Sequence, residues 1–197
     1  MSALQVTAVQ PASRMGLKGP DAAALLQQAG IPVPALPNRV LIGTAHNPPS
    51  IAAPVTVRVL RLGNTEFILE QDEGHDALAA VRSLARSAGL RAWPVVRADC
   101  SLLLTGGTVF ERLSRVCAFD FAQLMAQPDM AVMTLLADIS VTLVLEPPAS
   151  VGAAHAAASP APVPPCLRLW ADPGFATYLV QTLRSLSSDL PSHGVHA

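Results

Sequence analysis

The sequence predicts an α+β fold, an antiparallel sheet with helices packed on one face. Three observations predict it. Val55, Val57 and Val59 alternate with Thr56, Arg58 and Leu60, while Phe67 and Leu69 alternate with Glu66, Ile68 and Glu70. Two strands of period two therefore flank the turn residues Gly63-Asn64. Residues 75–89 place Leu78, Val81, Leu84, Ala85 and Ala88 on one helical face, with Gly89 to end it. Finally, Asp172 caps a helix with Pro173 at its first position and Phe175, Leu179, Leu183 and Leu186 as its inward stripe.

The remaining elements follow in chain order. Residues 1–54 read as a loop-rich N-terminal arm with one short helix, Ala22–Ala29, entered by Pro20 and stopped by Gly30. Pro32, Pro34 and Pro37 then forbid regular structure, and Asn38–Pro54 is expected to be an extended arm. Residues 55–187 form the α+β domain. Within it, Val95–Leu104 is a strand, broken by Thr105-Gly106-Gly107. Thr108-x-x-Glu111 is a capping-box pattern for a short helix reaching Leu113–Val116. Met130–Leu136 and Ile139–Leu145 are strands, and Ile139, Val141, Leu143 and Leu145 share one face. Residues 147–165 are Ala/Pro/Ser-rich and too poor in large side chains to offset ordering entropy, so they read as a flexible excursion. Leu167–Trp170 is the last strand, and residues 188–197 are a frayed tail.

Composition narrows the function classes. Hydrophobic residues make up 51% and charged residues 14% of 197, with a net charge of −1 and a mean hydropathy of +0.40. A typical soluble domain carries about 25% charged residues. No basic excess points to nucleic acid. The most apolar stretch, Met130–Leu145, is interrupted by Thr134, Asp138, Ser140 and Thr142, and it falls short of the roughly 20 apolar residues a span needs. The excess of apolar side chains is better explained by surface buried against partner chains. Residues 1–10 hold no basic segment followed by an apolar core, so a cytoplasmic location is expected.

The search for chemistry finds little. Cys100, Cys117 and Cys166 form neither a disulfide framework nor a metal knuckle, and none has a local base to activate it. His46, His75, His155, His193 and His196 show no partner pattern, and His193-x-x-His196 offers two ligands where zinc needs about four. No catalytic or metal-ligating residue is assigned. Thr105-Gly106-Gly107 lacks the spacing of a phosphate loop. Arg14-x-Gly16-x-Lys18-Gly19-Pro20 reads as a basic loop able to clamp a partner's acidic face. Arg14, Lys18, Asn38 and Arg39 are the expected interface residues. Glu70, Asp72 and Glu73 look solvated, and Asp99, Asp120 and Asp138 read as cap or turn residues.

Five segments in order resemble the gamma subunit of heterotetrameric sarcosine oxidase. Arg14–Gly19 with Pro37-Asn38 is similar to the family's "G-x-x-G … PN" segment, and Leu62-Gly63-x-x-Glu66-Phe67-Ile68-Leu69 to its "LGPDEWLL" strand. Asp99-Cys100-Ser101 with Leu104-Thr105-Gly106 resembles "DVS…LSG". Cys117-Ala118-Phe119-Asp120-Phe121 stands where "CPLDL" is usual, and Phe175-Ala176-x-Tyr178-Leu179 resembles "SFAxYL". Phe67 and Ala118 depart from the Trp and Pro of the pattern.

The resemblance implies a piece of the folate-binding aminomethyltransferase fold of the glycine-cleavage T-protein. It implies a subunit without catalytic residues of its own, in a sarcosine oxidase or a related N-methylglutamate dehydrogenase. Larger alpha and beta flavoenzyme subunits and a small delta subunit would be its partners. FAD, FMN, NAD, tetrahydrofolate and zinc are implied for the complex and none for this chain. The competing reading is a stand-alone folate-binding protein of the aminomethyltransferase class, with Asp99 or Asp120 as the carboxylate for the pterin ring.

Overall fold

The computed structural model describes residues 3–45, 55–74, 76–87, 89–147 and 164–188. The fold is α+β, with two five-stranded sheets. The elements are β1 (Gln5–Val9), β2 (Ser13–Lys18), α1 (Ala22–Gln28), β3 (Arg39–Ala45), β4 (Val55–Arg61), β5 (Glu66–Gln71), α2 (Leu78–Ser87), β6 (Trp93–Val95) and β7 (Cys100–Thr105). Then come α3 (Val109–Leu113), α4 (Ala122–Ala126), β8 (Ala131–Leu136), β9 (Ile139–Leu145), β10 (Cys166–Ala171), a 3-10 turn at Pro173–Phe175 and α5 (Ala176–Ser188). The chain divides into two compact units, one of Met1–Ala8, Cys100–Ala126 and Met133–Ala197, the other of Val9–Asp99 and Gln127–Val132.

The second unit carries the sheet ordered β3-β4-β5-β2-β6. β4 and β5 form the expected antiparallel hairpin, with Arg61 opposite Phe67 and Val59 opposite Leu69. Met15, Leu17, Val55, Val57, Val59, Phe67 and Leu69 join Leu25, Leu26, Leu78 and Val81 of the two helices in one buried cluster. Period two puts these strand residues on a single sheet face, so α1 and α2 cover that face. α1 ends as Gly30 implies. Gly30 takes φ +69, its N–H reaches Gln27 O at 3.0 Å, and Ile31 N–H reaches Leu26 O at 2.9 Å. That pair of bonds satisfies carbonyls the helix end would leave orphaned. Asp21 is the N-cap and Ala22 the first helical residue, so Pro20 precedes the helix and does not hold its expected first position.

The first unit carries the sheet ordered β1-β7-β10-β9-β8. β10 pairs antiparallel with β7 and β9, placing Trp170 opposite Ser101 and Thr142. All six residues of β10 are buried, as a central strand covered on both faces requires. Ala137 and Asp138 take positive φ (49° and 66°), so two residues suffice to turn β8 into β9. Asp138 thus sits in a turn. Asp172 Oδ1 accepts from Gly174 N–H at 2.8 Å and opens the last helical segment. Leu179 and Leu183 are buried there. Leu186 is only half-buried, and Phe175 is exposed. The inward stripe is therefore shorter than the spacing predicts, because Phe175 lies in the 3-10 turn, off the 3.6-residue period.

Three expectations are corrected. Residues 1–45 are not a loop-rich arm with one helix, since they supply β1, β2 and β3 as well as α1. The short strands β2 and β3 carry charged or small residues that hide their period. The described part of the expected extended arm, Asn38–Ala45, is β3 and its entry, paired residue for residue with β4 from Arg39–Arg61 to Ala45–Val55. Val95–Leu104 is not one strand. β6 ends at Val95 and β7 begins at Cys100, in different sheets. Between them Asp99 is gripped by Arg97. The excursion at 147–165 and the tail at 188–197 fall outside the described residues but for Pro147, Pro164, Pro165 and Ser188.

Candidate functional site

Buried charge marks the middle of the second unit's sheet. Arg14, Glu70 and Arg58 stand in register across β2, β5 and β4. Arg14 Nε donates to Glu70 Oε2 at 2.6 Å, and Arg58 Nη1 donates to Glu70 Oε1 at 3.4 Å. Arg58 Nη2 reaches Asp72 Oδ2 at 3.3 Å. Arg14 Nη1 also donates to the Asp99 carbonyl. Two cations face two carboxylates, so the cluster is neutral and each charge taken from water has a partner. The carboxylate of Glu70 is fully buried. The sequence pattern missed this, because Arg58 and Glu70 fall at the polar positions of alternating strands.

A second buried pair lies in the first unit. Arg168 Nε on β10 donates to Glu146 Oε1 at 2.9 Å. Arg168 Nη1 lies 3.5 Å from Ser101 Oγ on β7. Both charged side chains are at most 3% exposed.

The carboxylates considered for a pterin ring are engaged within the chain. Asp99 Oδ1 and Oδ2 accept from Arg97 Nη2 and Nε at 2.7 and 2.8 Å. Asp120 Oδ1 accepts from Ala122 N–H at 3.0 Å at the start of α4. Cys117 is buried, with Sγ 3.8 Å from Thr134 Oγ1. Cys166 is buried and Cys100 half-buried. All five histidines lie outside the described residues. Among the described residues no three His, Cys, Asp or Glu side chains are grouped to hold a metal.

The four expected interface residues are not brought together as one basic surface. Arg14 is buried in the ion cluster. Lys18 is half-exposed and pairs with Glu66 at 3.0 Å. Asn38 occupies a left-handed turn position with φ +56. Arg39 Nη2 donates to Gln127 Oε1 at 3.0 Å, and its Nε lies 3.6 Å from Asp129.

What both units do expose is large apolar surface. The first unit presents Met133 and Leu135 on its edge strand β8, Met125 on α4, and Phe175 and Tyr178 at the start of the C-terminal helical segment. The second unit presents Leu36, and Trp93 and Val96 on and just after its edge strand β6. Met133, Leu135 and Trp93 lie on edge strands, where exposed apolar side chains invite docking of another chain. No described helix is long and apolar enough to cross a membrane.

No protein-family model matches the sequence, and no curated protein matches it. Solved structures do. A chain of the heterotetrameric sarcosine oxidase from Corynebacterium sp. U-96, solved in complex with pyrrole 2-carboxylate, is similar with a TM-score of 0.64 and 20% identity. The match covers 96% of this chain and 88% of that one. The glycine cleavage system aminomethyltransferase T from Bartonella henselae is similar with a TM-score of 0.69 and 13% identity, covering 92% of this chain and 45% of that one. The chain thus has the fold found in both, and spans less than half of the aminomethyltransferase.

Proposed function

We propose that this chain is a gamma-type subunit, without catalytic residues of its own, of a hetero-oligomeric flavin-dependent oxidoreductase acting on sarcosine or another N-methyl amino acid such as N-methylglutamate. The observation that carries the reading is the two-sided coverage of the sarcosine oxidase chain. The match takes in 96% of this chain and 88% of that one, where the aminomethyltransferase is covered only to 45%. A separate chain of this size inside a flavoenzyme is a closer counterpart than half of a folate enzyme. The exposed apolar side chains of both units favour an assembled state.

In this reading the flavins of larger alpha and beta subunits accept the electrons, and tetrahydrofolate takes the one-carbon unit. A small delta subunit completes the assembly, and the location is cytoplasmic. This chain supplies rigid, preshaped surface. Its Asp99 and Asp120 are held by Arg97 and by the start of α4, so neither fits the anchoring carboxylate that a stand-alone pterin site needs.

Native mass spectrometry of the tagged chain, purified from its own cells, tests the reading. Recovery at several times its own 20.5 kDa with a flavin-bearing partner is expected, followed by flavin reduction when N-methyl amino acids are added. A stable colourless monomer overturns it.

A further inference from the structure

We propose that the edge of the second unit's sheet from Trp93 to Val96 is where a larger subunit docks, receiving these side chains in an uncharged, apolar surface of its own. The inference rests on the subunit reading and adds the surface and the chemistry of its partner. β6 ends the sheet order, and Trp93 is 58% and Val96 93% exposed. Leaving both in water wastes apolar area that a partner would cover.

The surroundings specify the partner's chemistry. Three ion pairs flank the edge: Lys18–Glu66 at 3.0 Å, Asp21–Arg91 at 3.2 Å and Arg97–Asp99 at 2.7 Å. Lys18 is the register partner of both Trp93 and Glu66. Arg91 lies two residues before Trp93, and Arg97 directly follows Val96. Each cation beside the edge is matched within its own pair, so the patch attracts neither an acidic nor a basic surface. An aromatic anchor inside a polar rim is the anatomy of a protein interface, and tryptophan is a favoured anchor.

The edge is also fixed in advance. Arg97 grips Asp99 through two hydrogen bonds, and the Asp99 carbonyl is held by buried Arg14. The Arg97 side chain crosses β2 at Gly16, where an added Cβ would stand 3.3 Å from Arg97 Cγ. A rigid edge loses little conformational freedom on docking. Pro94 removes a backbone donor from the middle of the strand. That disfavours continuous strand pairing with a second copy and leaves side-chain docking on a different chain.

The test uses the full tagged chain purified from its own cells as wild type, Val96→Glu and Trp93→Ala, with Glu111→Gln at an exposed position of α3 in the first unit as a comparison. Bound flavin per tagged chain is the readout. Both second-unit variants are expected to keep the wild-type circular dichroism and thermal unfolding while losing about tenfold or more of the flavin partner. Glu111→Gln is expected to keep it. Variants at 93 and 96 that retain the partner overturn the docking edge alone. A wild-type homodimer that Val96→Glu splits, with the flavin partner still bound, also overturns it. A wild type that recovers no flavin subunit overturns the subunit reading and the inference with it. Should Val96→Glu not fold, hydrogen exchange of the wild-type assembly decides. Slow exchange of the amides at Val95–Arg97 supports docking, and exchange as fast as at Gly63-Asn64 overturns it.

Discussion

Arg14 and Glu70 stand directly opposite one another on β2 and β5, both buried, with Arg14 Nε donating to Glu70 Oε2 at 2.6 Å. Glu70 also takes Arg58 on its other oxygen, so one carboxylate bonds two guanidinium groups from the two neighbouring strands, and Asp72, paired with Arg58, supplies the second negative charge. Replacing Glu70 by Ala leaves both cations buried without it. The expected loss is about 3–5 kcal/mol, the usual cost of breaking a buried pair from one side. Arg14→Met is expected to cost less, because Glu70 keeps Arg58. Thermal and denaturant unfolding of the full chain measure both, and equal losses would refute the shared-carboxylate account.

Gly19 is the second lever. Its φ is +137, and an added Cβ would stand 2.1 Å from the Arg91 carbonyl oxygen. Gly19→Ala must shift backbone against backbone, and a loss of about 2 kcal/mol or more is expected. Gly63 has nothing within 4 Å of the same position, so Gly63→Ala is expected to stay within about 0.5 kcal/mol of wild type. Unfolding curves of the two variants side by side separate these outcomes.

Asp21 gives a pH dependence with a defined sign. Hydrogen bonds from the Arg91 guanidinium, and next from the Arg91 backbone N–H, hold its carboxyl below the ordinary value of 3.8. A carboxyl with a lowered folded-state value contributes stability above its unfolded-state value and loses it as pH falls through the folded one. The difference in unfolding temperature between wild type and Asp21→Asn is therefore expected to be constant near neutrality and to shrink as pH falls below about 4. A difference that grows on acidification would contradict the assignment.

Leu183 and Phe175 should part company. Leu183 is fully buried and Phe175 is 45% exposed. Leu183→Ala is expected to cost about 2–5 kcal/mol, and Phe175→Ala about 1 kcal/mol or less of the free chain's stability. If Phe175→Ala proves the more damaging in the free chain, the observed short stripe on α5 is wrong.

What the sequence determined by itself is local. The alternation of Val55–Val59 against Phe67–Leu69, the helical spacing of Leu78 and Val81, Gly30 as a helix stop and the Asp172 cap each need only a few neighbouring residues to express their physics. The fold class followed from the order of such pieces. Tertiary structure decided what depends on contacts distant in the chain. Arg14 to Pro20 reads as a basic loop until β5 and β6 pair on either side of β2. Arg14 reads as an interface residue for a partner's acidic face until Glu70, 56 residues away, takes its charge. Val95–Leu104 reads as one strand until β6 and β7 enter different sheets. A side chain's own type sets its cost of leaving water. Only the partner that the fold brings to it decides whether that cost is offset, and so whether Arg14 lies inside the protein while Trp93 remains on its surface.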